Sequence, residues 1–162
     1  MSAHPHPGPF GSAGFHPGPT SEMRVTRYLK APVGDLWRGF SDGATLVHWF
    51  RPGGVELASA LVEPRRGGRF DLTHARAGAR LETINCCVLE AEENRLFAVT
   101  TALAGDYRPT GTQAPATLIV EFHEIASGTR LEARLMHPEA AVASPLIGWE
   151  EGLPVLEQIL AG

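Results

Sequence analysis

Two histidines stand at matching places in this sequence. His74 closes the alternating run from Arg69, and His137 closes the run from Thr129. Successive side chains of a strand point to opposite faces. Phe70, Leu72 and His74 therefore share one face of their strand, and Leu131, Ala133, Leu135 and His137 share one face of theirs. An imidazole at the end of an apolar face can orient a ligand by hydrogen bonding, or serve as a general acid or base, because it titrates near neutral pH. It can also be a rim residue that satisfies a backbone carbonyl. With Glu82, these histidines are the candidates for an acid and a base assembled from separate strands, although nothing in their spacing demands catalysis. Two histidines without a third ligand at suitable spacing make a poor zinc site, so neither a metal nor another cofactor is expected.

The other chemistry-bearing residues add little. There is no G-x-S-x-G elbow, no H-E-x-x-H helix, no P-loop lysine and no dinucleotide glycine fingerprint, which weakens an enzyme reading and leaves the catalytic residues unknown. Cys86 and Cys87 are adjacent and so point to opposite faces of a strand, which makes a disulfide between them geometrically poor. Whichever thiol is exposed has no adjacent basic residue to lower its pKa, so inert, reduced cysteines are expected. His4, His6 and His16 lie among prolines and glycines that give no rigid frame for a metal. Residues 1–20 as a whole carry too few large side chains to repay the entropy of ordering and are expected to be a flexible tail before a single domain over residues 21–162.

The elements that must hold His74 and His137 are legible from periodicity. Residues Met23 to Leu29 alternate as a strand with one buried face. Pro32 suits a first helical turn, and Val33, Leu36, Trp37 and Phe40 then fall on one helical face. Asp42 can cap a second short helix whose apolar side is Leu46, Trp49 and Phe50, with Pro52-Gly53-Gly54 ending it. Short alternating segments follow at Val55 to Val62, Arg69 to His74, Arg80 to Glu90, Arg95 to Leu103, Thr117 to Ile125 and Thr129 to His137. Glycine turns separate several of them. No helix-length segment lies between these strands, so parallel crossovers are excluded and the class is α+β. The longest connection, Gly105 to Pro115, carries Tyr107, Arg108 and Pro109 and is a plausible lid. Trp149, Leu153, Leu156 and Leu160 form one apolar helical stripe, within which Pro154 should kink the helix or begin a second piece.

The totals bound the partners. A chain of 162 residues suits one domain. Its net charge of −4 leaves no basic excess to neutralise phosphates, so nucleic acid is not an expected partner. No stretch approaches the roughly 20 apolar residues of a membrane span, and no apolar signal core is visible at the N-terminus, so a cytoplasmic location is expected.

Strand, two short helices, six strands and a long C-terminal helix make a helix-grip order, in which a bent antiparallel sheet of about seven strands wraps the last helix. The segments KAPVGDLWRGFSDGATLVHWFRPGG, RRGGRFDL, CVLEAEENRLFAVTTALAGDYRP, SGTRLEARLMH and GWEEGLPVLEQIL carry a closer likeness. In this order they resemble the activator of Hsp90 ATPase homologue-like family of the START and Bet v-like (SRPBCC) superfamily, from Met23 to Gly162. The matched residues are mostly turn glycines and core tryptophans and leucines, so the resemblance speaks for the fold more than for an activity. It implies a container for a hydrophobic small molecule of lipid or polyketide-like kind. Alternatives are an enzyme of cyclase or hydrolase type acting on such a ligand, and a co-chaperone or interaction module that would need an exposed patch. Departures from the family pattern are Pro154 and the small-residue run AAVAS before the last helix, both bearing on the cavity mouth.

A pocket in such a fold would be lined by Trp49, Phe50, Phe70, Leu72, His74, Tyr107, His137, Trp149 and Leu153. Trp37, mid-face on the first helix, is expected in the core, whereas Trp49 and Trp149 fit either a packed core or a pocket wall. An exposed sheet edge would also offer a two-fold contact for a homodimer.

Overall fold

A computed structural model of the chain describes residues 20–76, 79–138 and 146–162. The proposed tail over residues 1–20 lies outside them except for Thr20, as do Ala77-Gly78, where one of the glycine turns is expected, and the AAVAS run. In chain order the elements are β1 (Thr20–Leu29), α1 (Val33–Ser41), α2 (Gly43–Trp49), β2 (Leu57–Val62), β3 (Arg69–Arg76), β4 (Ala79–Glu92), β5 (Leu96–Thr100), β6 (Leu103–Ala104), β7 (Arg108–Pro109), β8 (Thr117–Ile125), β9 (Gly128–Pro138) and α3 (Leu153–Ala161). Three-residue 3-10 turns at Pro52–Gly54 and Gly105–Tyr107, and a four-residue one at Trp149–Gly152, complete the described chain.

Seven strands form one antiparallel sheet in the order β1-β9-β8-β5-β4-β3-β2. Hairpin neighbours pair throughout except at β1, which returns to lie beside the last strand, β9. The fold is the α+β helix-grip that periodicity and turn chemistry anticipate. Strand limits shift modestly. β1 begins at Thr20, three residues before the alternation, because its first residues pair with Pro138, His137 and Met136 of β9. β5 stops at Thr100, and the short β6-β7 hairpin follows it.

The inner face carries the core. Phe70, Leu72, Cys86, Val88, Phe97, Val99, Leu118, Val120, Phe122, Leu131, Ala133 and Leu135 project from the strands, and Leu36, Trp37, Phe40, Leu46, Trp49, Leu153 and Leu156 project onto them from the helices. Two caps fix the short helices. Pro32 precedes α1, with a φ of −60° that suits helix entry. The Asp42 carboxylate accepts from the Ala44 amide at 3.3 Å and the Thr45 hydroxyl at 3.0 Å, capping α2.

The C-terminal helix is shorter than the apolar stripe implies. Trp149 stands on the 3-10 turn, and α3 proper covers only nine residues. Pro154 is the reason. It lacks the amide proton a helix interior needs, but it is tolerated in the first turn, so the regular helix begins beside it. Gly152 sits at this junction with an ordinary φ of −84°; a Cβ there would lie 1.7 Å from the Trp49 carbonyl oxygen, so close backbone approach rather than turn geometry requires glycine. No helix among the described residues is long and apolar enough to cross a membrane.

Candidate functional site

The residues nominated from sequence separate into three places. Trp49, Phe50, Phe70 and Trp149 meet ring to ring, with centroids 5.4 Å apart for Trp49 and Phe50, 5.9 Å for Phe50 and Phe70, and 6.3 Å for Phe50 and Trp149. Phe40 joins them, 4.9 Å from Trp49 and 5.8 Å from Trp149. Leu72 and Leu153 belong to the same cluster, and every member of this group is 0–1 % exposed. The indole nitrogen of Trp49 donates to the Gly39 carbonyl at 2.8 Å, which satisfies its one polar atom in a dry setting. These side chains fill the inner face against the helices. In this conformation they have no surface to offer a ligand.

Tyr107 is not joined to them. Arg69, Asp71 and Cys87 share the outer face, since Arg69 pairs with Cys87 in the β3-β4 register. The turn that carries Tyr107 lies over that face: the Asp106 amide donates to Gly67 at 2.7 Å, and a Cβ on Gly105 would meet the Arg69 side chain at 2.5 Å. The Tyr107 ring rests on Gly67 and is 51 % exposed. The first half of the Gly105 to Pro115 connection is thus a strap across the outside of the sheet. It explains why both cysteines are buried, although they point to opposite faces: Cys86 lies in the core and Cys87 beneath β6 and the strap. Burial, with Asp71 nearby, pushes the Cys86 thiol up to about 12. Beside the strap, Arg66 donates to both Glu90 carboxylate oxygens at 2.8 to 3.1 Å, which holds that carboxyl below its usual range.

His74 lies two residues before the end of β3, and His137 one before the end of β9. His74 follows Phe70 and Leu72 on their face, at an irregularity where the pairing of β3 shifts on both sides. It is partly buried, and its Nε2 has no hydrogen-bond partner among the described residues. Glu82 is exposed on β4. His137 continues the buried face of Leu131, Ala133 and Leu135, is 9 % exposed, and lies with Nδ1 2.9 Å from the Pro138 carbonyl oxygen.

His137 also borders a cleft of about 880 Å³ where β1, β8 and β9 end. Strand ends contribute Thr20, Thr117, Met136, His137 and Pro138, and the connection before β8 contributes Ala102, Gly111, Thr112, Gln113 and Pro115. The cleft volume lies in the range of about 300–1,000 Å³ common for small-molecule sites. Its walls are apolar at Ala102, Pro115, Met136 and Pro138, with a few hydroxyl and amide groups between. Sequence reasoning nominated only His137 from this set, together with the connection as a lid. The others escaped because Met136 and Thr117 face outward in mid-strand terms, and only the end of the sheet makes an outward face concave.

On the outer face of β8 and β9, the side chains of Glu121, His123 and Glu132 bring ligand atoms within 4.8 Å of one another. Glu121 and Glu132 are direct cross-strand partners, an unfavourable pairing of like charges. His123 lies 3.4 Å from Glu121 and 3.9 Å from Glu132, and Arg130 lies 2.8 Å from Glu132. The imidazole and guanidinium can balance the two carboxylates without an ion, and all of these side chains are half exposed.

With this geometry in hand, the chain can be set beside known proteins. A protein of Nitrosomonas europaea of solved structure is 27 % identical, with a TM-score of 0.73 over 86 % of this chain and 94 % of that one. A Chromobacterium violaceum protein is 20 % identical, with a TM-score of 0.68 over 87 % and 98 % of the two chains. The solution structure of an AHSA1-like protein from Aeromonas hydrophila is 14 % identical, with a TM-score of 0.63 over 87 % and 92 %. The last two likenesses speak to the fold alone. No curated protein is similar enough to match. The family model described as activator of Hsp90 ATPase homolog 1-like protein matches residues 30–161, from the residue after β1 to the end of α3, and the chain belongs to that family.

Proposed function

We propose that this protein binds a hydrophobic small molecule, of lipid or polyketide-like kind, in the cleft at the ends of β1, β8 and β9. The observation that carries the reading is the 880 Å³ cleft itself, apolar in its walls and bordered by the nearly buried His137. Sites for small ligands combine a concave apolar lining with a few placed polar groups, and this cleft has both. In the proposal His137 orients the ligand and the connection before β8 forms one wall. The packed group of Trp49, Phe50, Phe70, Leu72, Trp149 and Leu153 holds the sheet rigid behind it. His74, near the end of β3, stands as a second polar contact for a ligand long enough to reach it. Tyr107, on the outside of the sheet, anchors the start of the same connection.

Binding without chemistry is the simpler form of this reading, because among the described residues that line the cleft His137 is the one side chain able to act as an acid or a base. The test is native mass spectrometry of gently purified protein, followed by denaturation and identification of what is released. A stoichiometric apolar adduct is expected. An empty chain that also takes up nothing from a mixture of hydrophobic compounds would overturn the proposal.

A further inference from the structure

His137 is the one ionisable side chain among the described residues that line the cleft. Its Nδ1 lies 2.9 Å from the Pro138 carbonyl oxygen. A carbonyl oxygen can only accept, so the neutral ring carries its proton on Nδ1 and keeps a lone pair on Nε2. The hydrogen bonds of the described residues bring no donor to that Nε2. The cleft therefore offers an acceptor of fixed tautomer, held by a strand end, among apolar walls. Among the described residues that line it there is no lysine, arginine or carboxylate to neutralise a charged ligand.

Resting on the reading of this cleft as the ligand site, we propose that it selects an uncharged, largely apolar molecule that carries a hydroxyl group, and that this hydroxyl donates to His137 Nε2. Pro115, Met136 and Pro138 pack the apolar body, and methionine adapts to irregular shapes. Specificity follows from the acceptor. A ligand of the same shape without the hydroxyl proton leaves Nε2 out of water and unpaired, and sites built to pair a hydroxyl reject such analogues more strongly than sites that only fill space. A carboxylate or phosphate is disfavoured twice, by the lone pair it would face and by the lack of a cation among the described lining residues.

The experiment compares α-naphthol with its methyl ether, two probes of the same ring system, by titration against the full chain and the His137→Phe variant. The wild-type protein is expected to bind naphthol about tenfold more tightly than the ether, the size of one hydrogen bond. In H137F the two affinities are expected to converge, because the ring is kept and the acceptor lost. Equal affinities in the wild type overturn the hydroxyl selection while leaving apolar binding intact; failure to bind either probe overturns the ligand reading as well. A preference that survives in H137F removes His137 from the role. Should H137F not fold, the imidazole nitrogen resonances of the wild-type protein decide: Nε2 is expected to shift with naphthol and not with the ether, and the same shift with both probes overturns the proposal.

Discussion

The helix-covered part of the inner face and the cleft at the ends of β1, β8 and β9 are built from different materials. Under the helices, Phe40, Trp49, Phe50, Phe70 and Trp149 touch one another, mostly edge to face with Phe50 stacked on Trp149, and the Trp49 indole nitrogen is satisfied by the Gly39 carbonyl. At the cleft the side chains are small or flexible, Ala102, Thr112, Thr117, Met136, and two prolines, Pro115 and Pro138, shape the walls. Large rings that interlock leave no void, whereas short side chains beside a connection held off the sheet do. The same sheet thus provides rigidity in one place and capacity in another. Substitutions should separate the two roles.

The largest effect is expected at Trp149. Trp149→Ala removes a ring that contacts Phe40, Trp49 and Phe50, in a setting with little freedom to collapse, and should cost roughly 3–5 kcal/mol in denaturant unfolding. A loss below about 1 kcal/mol would mean that the interior is loosely packed, and the contrast with the cleft would fail. Gly152→Ala comes next. Its Cβ would lie 1.7 Å from the Trp49 carbonyl oxygen, so α2 and the start of α3 must move apart, at a cost of about 1–3 kcal/mol. An unchanged unfolding midpoint would show that this junction is not fixed.

Sequence periodicity captured the strands, the two short helices and the α+β class because alternation and helical spacing report burial directly. It also placed Phe70 and Leu72 on one face, and the structure buries both there. What it could not report is how far the helices sink into the bent sheet. The same list of aromatics describes a pocket wall or a filled core, and only the ring separations of 4.9 to 6.4 Å distinguish them. Tyr107 was expected on a lid beside the pocket, and the structure sets it on the outer face for a related reason: its connection crosses over that face, and periodicity stops where a chain leaves its strand. The cleft residues were hidden by the same limit, since Met136 and Thr117 carry no apolar alternation of their own.

Cys86 sharpens the comparison through pH. Its thiol is raised from 9.0 to about 12 in the folded protein by burial. Below pH 9 both states hold the proton and the group contributes nothing to the pH dependence. Between pH 9 and about 12 the unfolded chain loses it first and binds fewer protons, so stability falls as pH rises, by up to about 1.4 kcal/mol per unit. Cys86→Ala should remove that part of the slope in unfolding curves measured from pH 8 to pH 11. The native thiol should also resist alkylation at pH 8 until the protein is unfolded. Rapid native alkylation of Cys86 would mean that water reaches the helix-covered interior.

The smallest stability effect is expected in the cleft. Gln113 is exposed and sits on the connection that forms one wall, so Gln113→Ala should change unfolding free energy by no more than about 0.5 kcal/mol. Yet it alters a surface that a bound molecule would touch, and titration with α-naphthol should register a change that thermal melting does not. Trp149→Ala should show the converse order, with stability falling far more than affinity in whatever fraction remains folded. If Gln113→Ala destabilised the chain as Trp149→Ala does, the connection would be a structural strap along its whole length, as it already is at Asp106 where it bonds to Gly67, and the cleft beneath it would be a consequence of that strapping rather than a site.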